Sequence, residues 1–467
     1  MCLNFKYKLT DMHFSDLLAN QRQFFKAQNT KTLAARKQSL QLFRKMLLEN
    51  EARLYEAVHA DFQKSEHEAF LTEWAILIKD IDEALGALPK WMKKQKVCTN
   101  LVNLPGKSFI VPEPLGLCLV IGAWNYPIQL SFAPVIAALA AGNTVLLKPS
   151  ELATNSAQCM AELVAQYFDP QLFTVVLGGV AETTALLEER FDKIFFTGSP
   201  AVGRIVYQAA AKHLTPVTLE LGGKSPAILT PSADLPTAIK RLVWAKFLNA
   251  GQTCIAPDYV FIHESIYEEC LVLLQEEIEK NQYALANKNY VQIINERNLA
   301  RLEQLLDKDK IAFGGAINHA DRTISPTILK EVSFDDAIMQ EEIFGPILPL
   351  LSYKQFDTVL DYIQDHEKPL SAYLFSNDKT EQAAWLGQLS FGGGCINDAI
   401  MHITNPNLPF GGVGQSGNGS YHGKAGFDTF SHRKSVFEKP RLFEVPLKYP
   451  PYTAAKMNWI KRLLKFS

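Results

Sequence analysis

The chain has 467 residues, 47% hydrophobic and 21% charged, with 47 Lys and Arg against 49 Asp and Glu for a formal net charge of −2. That length predicts two to four domains with sizeable buried cores, and the balanced charge argues against a nucleic-acid partner. The seven cysteines include no Cys-x-x-Cys pair and no Cys/His cluster at ligand spacing, so a reducing compartment is expected, with neither a disulfide framework nor a metal site.

The N-terminus, Met1-Cys-Leu-Asn-Phe-Lys-Tyr-Lys, lacks the apolar core and cleavage site of a signal peptide, and no run of 18 apolar residues follows anywhere. A cytoplasmic chain is expected. From about Thr30 to Lys96 apolar residues recur at three- and four-residue spacing, as at Leu40, Phe43 and Leu47, which predicts charged helices. Across 97–114, Pro105, Gly106, Pro112 and Pro114 break short apolar runs, and extended chain or a hairpin is expected.

A clear alternation then begins. Strand-like runs lie at 117–121, 144–148, 173–177, 193–196 and 217–221, separated by helix-length segments at 128–141, 154–167, 181–189 and 201–212. Strands that are apolar throughout and joined by helices predict a doubly wound α/β domain, its parallel sheet covered on both faces. A second α/β region starts near 223, with strand-like runs at 258–263, 325–330, 346–351 and 371–375, and closes in a glycine-rich segment near 411–426. The basic, amphipathic tail Trp459-Ile-Lys-Arg-Leu-Leu-Lys-Phe reads as a helix docked on the protein or a partner subunit, or alternatively resting on a membrane surface.

Ligands of open parallel sheets bind outside the carboxyl ends of the strands. Trp124-Asn125-Tyr126-Pro127 follows the first strand, Lys148-Pro-Ser-Glu151 ends the second, Gly198-Ser199 to Gly203 follows the fourth, and Glu220-Leu221-Gly-Gly ends the fifth. The glycine loop opens a helix, whose N–H groups and dipole suit a pyrophosphate, although it matches neither Gly-x-Gly-x-x-Gly nor a Walker loop. It equally fits an ordinary strand-to-helix turn. Lys148 and Glu151 suit ribose hydroxyls or form a solvated pair. Asn125 suits an oxyanion donor or an Asx turn. Gly251-Gln-Thr-Cys254 offers a thiol and Glu220 a carboxylate, together the minimum for covalent catalysis followed by hydrolysis. Cys254 alone fits a packed small hydrophobe as well, and Glu342 fits a surface carboxylate beside a tight turn.

In their order and spacing, Trp124-Asn-Tyr-Pro, Phe196-Thr-Gly-Ser, Leu219-Glu-Leu-Gly-Gly-Lys-Ser-Pro226, Gly251-Gln-Thr-Cys and Glu342-Ile-Phe-Gly-Pro resemble the aldehyde dehydrogenase superfamily from about residue 30 to 440. The segments Leu408-Pro-Phe-Gly-Gly-Val-Gly-Gln-Ser-Gly417, Tyr421-His-Gly-Lys and Phe427-Asp-Thr-Phe-Ser-His432 are similar to the class 3 branch. The resemblance implies NAD(P)-dependent oxidation of an aldehyde to an acid, with Cys254 as nucleophile, Glu220 as deacylating base and Asn125 as oxyanion donor. It implies NAD or NADP contacts at Lys148, Glu151, Gly198, Ser199, Gly203, Leu221, Glu342 and Phe344. It implies a cofactor domain (1–96 and 113–222), a catalytic domain (223–425), a small bridging β segment (97–112 and 426–440) and a tail (441–467). A homodimer is implied, and the short basic tail departs from members that end in a hydrophobic membrane anchor. An acylating relative, or a non-catalytic protein of the same fold, is the alternative.

Overall fold

The computed structural model describes residues 14–441 and 444–464. Its central feature is a six-stranded sheet ordered Gly417–Asn418, Val217–Glu220, Lys193–Thr197, Leu117–Ile121, Thr144–Lys148, Phe173–Val175, parallel except for the two-residue edge strand Gly417–Asn418. The strand Leu117–Ile121 explains the layering. Cys118 and Val120 pack with Phe43, Phe132 and Ile136 on one face, whereas Leu117, Leu119 and Ile121 pack with Leu17, Ile194 and Val206 on the other. Side chains alternate across a strand, so burial on both faces requires an apolar run without alternation. Each such residue contributes roughly 1.5–3 kcal/mol on burial.

The helix Pro127–Ala141 is almost wholly buried and packs against Leu33–Glu49 and Ala75–Trp91. Pro127 occupies its first turn, where a missing N–H costs nothing, and Gly142 ends it in the left-handed region at φ 91°. A Cβ at Gly142 would lie 2.6 Å from Arg36 Nε, so both conformation and space require glycine there.

A second sheet has seven strands in the order Ile311–Phe313, Thr327–Leu329, Ile347–Tyr353, Tyr259–His263, Pro226–Leu229, Ser371–Phe375, Gly393–Ile396. All its neighbours are parallel except the first pair. A small antiparallel sheet joins Gln95–Val97, Lys107–Pro114 and Ser431–Glu438, the last two paired from Ser431 opposite Pro114 to Glu438 opposite Lys107. The fold is thus α/β, with two largely parallel sheets and a small β segment, as expected from the sequence.

Some details differ. The third strand of the first sheet stops at Val175 because Gly178, at φ 147°, turns the chain. Pro226–Leu229 and Gly393–Ile396 are strands that carry no distinct apolar run of strand length. The tail forms the helix Ala454–Leu464, on which Met457 and Trp459 are exposed in the isolated chain. No helix among the described residues is long and apolar enough to cross a membrane, and no group of three or more His, Cys, Asp or Glu among them is placed to hold a metal ion.

Candidate active site

In the first sheet the chain runs outward from Leu117–Ile121 through Thr144–Lys148 to Phe173–Val175, then returns to the other side as Lys193–Thr197. The reversal opens a crevice at the carboxyl ends of Leu117–Ile121 and Lys193–Thr197, the switch point where ligands of such sheets bind. Asn125 follows one of these strands and Gly198 the other. Gly198 N donates to the Glu220 carbonyl at 3.0 Å, tying the glycine loop to the next strand end.

Cys254 reaches the crevice on a bent segment. Asn249 and Ala250 are both left-handed (φ 55° and 51°), a conformation that costs such residues on the order of 1–3 kcal/mol and persists only where neighbours enforce it. Glu68 accepts from Asn249 N at 3.0 Å, and Asn249 Nδ2 donates to the Asn125 and Gln252 carbonyls at 2.9 and 3.1 Å. Gln252 donates to the Asn249 and Gln292 carbonyls, both at 3.1 Å, and accepts from Ile294 N at 3.0 Å. Gly251 has φ 72°, and a Cβ there would stand 2.2 Å from the Gly345 carbonyl oxygen. Asn125 Nδ2 donates to the Gln252 carbonyl at 3.0 Å, which orients the carboxamide beside the Cys254 segment and leaves its second N–H for another acceptor.

A buried ion pair supports the same turn from below. Lys64 and Glu73 are at most 1% exposed and meet at 2.9 Å, with the Lys64 ammonium 4.2 Å from the Tyr126 ring centroid. Glu73 lies in a π-helical turn, Phe70–Trp74, and its other oxygen accepts from Ile128 N at 2.9 Å, satisfying a free N–H at the start of Pro127–Ala141. The Tyr126 hydroxyl and Thr253 Oγ1 are 2.7 Å apart. Removing one partner of a buried pair strands the other charge. We therefore expect Lys64→Met to cost about 3–5 kcal/mol in denaturant unfolding, most of it recovered in Lys64→Met/Glu73→Gln. A single-variant loss below about 1 kcal/mol, the range of an exposed pair, would contradict this role.

A third web holds Glu342 and Phe344. Lys224 pairs with Asp258 at 2.6 Å and donates to the Ile338 and Glu341 carbonyls. Asp258 accepts from Ile343 N, and Arg301 donates to the Glu342 and Ile343 carbonyls. The Glu342 carboxylate lies so close over Gly222 that a Cβ there would be 2.0 Å from it. Phe344, left-handed at φ 50°, meets the Trp124 ring edge-on at 5.4 Å.

The electrostatics are acidic and dry. Burial, then the charges of Glu342 and Glu220, push the half-buried Cys254 thiol up to about 12. Burial alone holds Glu220 well above the carboxylate range, and neither of its oxygens has a protein partner. Burial and Asp258 bring Glu342 to about 8 against the opposing influence of Gly223 N–H, Lys224 and Arg301. Both the thiol and the carboxyl group are pushed toward their neutral forms, because three acidic groups share a space with no contacting cation among the described residues. Lys246, buried within electrostatic reach of Asp258 and Glu342, is itself pulled down to about 8 by desolvation.

The other strand ends fit a dinucleotide. Ser199 caps the twelve-residue helix Pro200–Ala211 by accepting from Val202 N, and Pro200 fills its first turn. The N–H groups of that helix start face the crevice edge, where a phosphate is favoured. Gly203 packs on buried Leu221, whose N donates to the Ser416 carbonyl. The buried Thr197 Oγ1 at the strand end has no protein partner. Lys148, 2% exposed, donates to the partly exposed Glu151 at 2.9 Å and to the Pro149 carbonyl.

The structure thus gathers Cys254, Glu220, Asn125, Glu342 and Phe344 around one point. It strings Lys148, Glu151, Gly198, Ser199, Gly203 and Leu221 along the adjoining edge. Supporting residues absent from the sequence reading are Lys64, Glu68, Glu73, Asp258 and Arg301, whose charges suggest solvated helix faces and loops. Gln252 and Lys224 stand inside the quoted motifs, and their place there is the signal that would have found them.

The sequence pattern of the aldehyde dehydrogenase family matches residues 7–436. Aldehyde dehydrogenase family 3 member A2 of Mus musculus is 45% identical over 447 residues, 95% of this chain and 92% of its own length. The aldehyde dehydrogenase of Rattus norvegicus named dimeric and NADP-preferring is 44% identical, covering 95% of this chain and 98% of its own. A solved structure of Staphylococcus aureus AldH, described as a substrate-bound state, superposes with a TM-score of 0.94 at 43% identity over 97% of this chain and 100% of that one.

Proposed function

The chain belongs to the aldehyde dehydrogenase family and oxidises aldehydes with NAD(P), and from that premise we propose that Cys254 is its nucleophile, Glu220 its deacylating base and Asn125 its oxyanion donor. The observation that carries the assignment is a carboxamide fixed on the Gln252 carbonyl, two residues before Cys254, together with a buried, unpaired carboxyl group whose charge reaches the thiol.

In this reading the Cys254 thiol gives its proton to a water molecule as its sulfur bonds the aldehyde carbon and the C=O π electrons move onto the oxygen. The oxygen that becomes negative is met by the free N–H of Asn125, a contact that strengthens as charge develops. NAD(P)⁺, when bound, supplies a positively charged hydride acceptor; Lys148 and Glu151 would hold its adenosine ribose, the Gly198–Gly203 helix start its pyrophosphate, and Glu342 and Phe344 its nicotinamide end. The resulting thioester on Cys254 is attacked by water that gives a proton to Glu220, and the C–S bond breaks to release the acid. Burial in the dry pocket raises Glu220 well above the carboxylate range, which makes its carboxylate form the stronger base.

We further propose the division into a cofactor domain (1–96 and 113–222), a catalytic domain (223–425) and a bridging segment (97–112 and 426–440). The antiparallel sheet of that bridge carries exposed Val97 and Phe437, with Leu101, Val102 and Leu104 exposed nearby. These residues form an apolar surface suited to a second copy, so a cytoplasmic homodimer is our reading.

Mixing the protein with NAD or NADP and a panel of aldehydes should raise the absorbance of reduced nicotinamide with no added acyl acceptor. Turnover that appears only with coenzyme A would instead make the enzyme acylating, and silence across the panel would sink the catalytic reading.

A further inference from the structure

We propose that Tyr373 is a positioning residue for the reaction: from the second sheet its hydroxyl holds one flank of the turn that carries Cys254, while the Tyr126 hydroxyl holds the other. The proposal rests on the assignment of Cys254 as nucleophile.

At the thiol the chain closes a four-residue turn, in which Ala256 N donates to the Thr253 carbonyl at 3.0 Å. Cys254 and Ile255 are its two central residues. The bend upstream fixes where this turn begins, yet its hydrogen bonds end at Gln252. A single closing bond does not fix how a turn tilts on the chain that leads into it. Two buried phenols supply that constraint. The Tyr126 hydroxyl lies 2.7 Å from Thr253 Oγ1, just before the thiol, and the Tyr373 hydroxyl donates to the Ile255 carbonyl at 2.5 Å, just after it.

The two grips come from different halves of the molecule. Tyr126 immediately precedes Pro127–Ala141 beside the first sheet and is the neighbour of Asn125. Tyr373 stands in the middle of Ser371–Phe375 in the second sheet, fully buried and opposite Ala227 on one side and Cys395 on the other. The sulfur is thus located against both sheets at once. A strand position buried in this way suits phenylalanine or valine, and a phenol there is costly unless its oxygen is bonded. Burial also holds the Tyr373 hydroxyl far above its ordinary ionisation range, so it stays a donor at every working pH.

What the clamp secures is the direction of two N–H groups. Those of Cys254 and Ile255 favour the thiolate, against burial and the charges of Glu342 and Glu220. An N–H helps a sulfur anion only while it points at it. Holding the Ile255 carbonyl fixes the residue that bears one of these donors, and holding Thr253 fixes the peptide that bears the other. A displacement of about 1 Å at reacting atoms costs on the order of 10²-fold in rate, so the loss of one grip is felt in the chemistry before it is felt in the fold.

The test uses the full-length protein with Tyr373→Phe, Tyr126→Phe, Thr253→Val, the double variant of the last two, and Tyr353→Phe as control. Tyr353 makes the same kind of bond in the same sheet, donating to the Leu229 carbonyl at 3.1 Å while its ring packs on Phe261 and His263. Tyr373→Phe should slow both the first-turnover burst of reduced nicotinamide and the alkylation of Cys254 by iodoacetamide about tenfold or more, with the aldehyde KM within about twofold. Tyr353→Phe should keep parental rates although its denaturant midpoint falls as far, which a merely structural role for Tyr373 would not allow. Tyr126→Phe and Thr253→Val should each slow both reactions, and together they should be no slower than the slower one alone, because they remove a single contact. Parental rates in Tyr373→Phe, an equal loss in Tyr353→Phe, or additive losses in the double variant overturn the clamp. Cys254→Ala measured alongside separates the readings: turnover surviving there removes the nucleophile assignment, whereas parental rates in Tyr373→Phe alone remove only the clamp.

Discussion

Cys254→Ala should turn over aldehyde at least on the order of 10⁴-fold more slowly and show no burst of reduced nicotinamide. The burst is the sharper readout, because without a sulfur no covalent adduct forms and hydride has no donor carbon. Loss of the fold is not an escape. The bend that presents residue 254 is held by Glu68, Asn249, Gln252 and Gly251, none of which bonds the thiol. The variant should therefore unfold within about 1 kcal/mol of the parent. A variant that is folded and keeps more than about 1% of its turnover would move the nucleophile elsewhere, since a nucleophile's removal costs far more than that. Cys395, half-buried with its sulfur 3.5 Å from His402 Nδ1, would be the next thiol to test.

The high position of the Cys254 thiol belongs to the same argument. An isolated thiol near 12 is inert at neutral pH, yet a permanent thiolate in a pocket shared with Glu220 and Glu342 would need a cation that the protein does not place there. Burial and the two neighbouring carboxyl groups favour the thiol over the thiolate in the unliganded pocket.

Much of this was legible from residues alone, for identifiable reasons. Leu117–Ile121 and Thr144–Lys148 are buried on both faces, so they read as unbroken apolar runs at strand length. The carboxyl ends of such strands are where ligands collect, so Asn125, Lys148, Gly198 and Glu220 could be grouped before any coordinates. Pro226–Leu229 and Gly393–Ile396 were not legible, because four-residue strands with proline or paired glycines give no pattern. Lys64, Glu68 and Glu73 were hidden more deeply. A charge in a helical stretch reads as solvated, and the π-turn at Phe70–Trp74 shifts the helix register, so that Glu73 points inward at Lys64. Protonation states were out of reach as well, since burial sets them and a list of residues does not contain burial.

Glu220→Gln carries the second large effect, and its two consequences run in opposite directions. Turnover should fall by about 10²–10⁴, the usual contribution of a positioned base, while the first-turnover burst survives because thioester formation precedes hydrolysis. Stability should move the other way. Glu220 is buried with both oxygens unpartnered and is held above the carboxylate range, so the folded state favours its neutral form. A carboxyl group raised in this way contributes stability below its unfolded value, and that contribution drains away as pH climbs toward the folded one. Glutamine cannot ionise, so the variant should match the parent near pH 4, about the unfolded carboxylate value, and exceed it increasingly toward pH 8. Denaturant midpoints at these two pH values check the sign. A parent more stable than Glu220→Gln at the higher pH would mean that the carboxylate has a partner in the folded protein. Unchanged steady turnover would mean that it is not the base. If both expectations hold, the site trades stability for a base that is dry and unpaired, and the cost of that arrangement is measured by the same substitution that removes it.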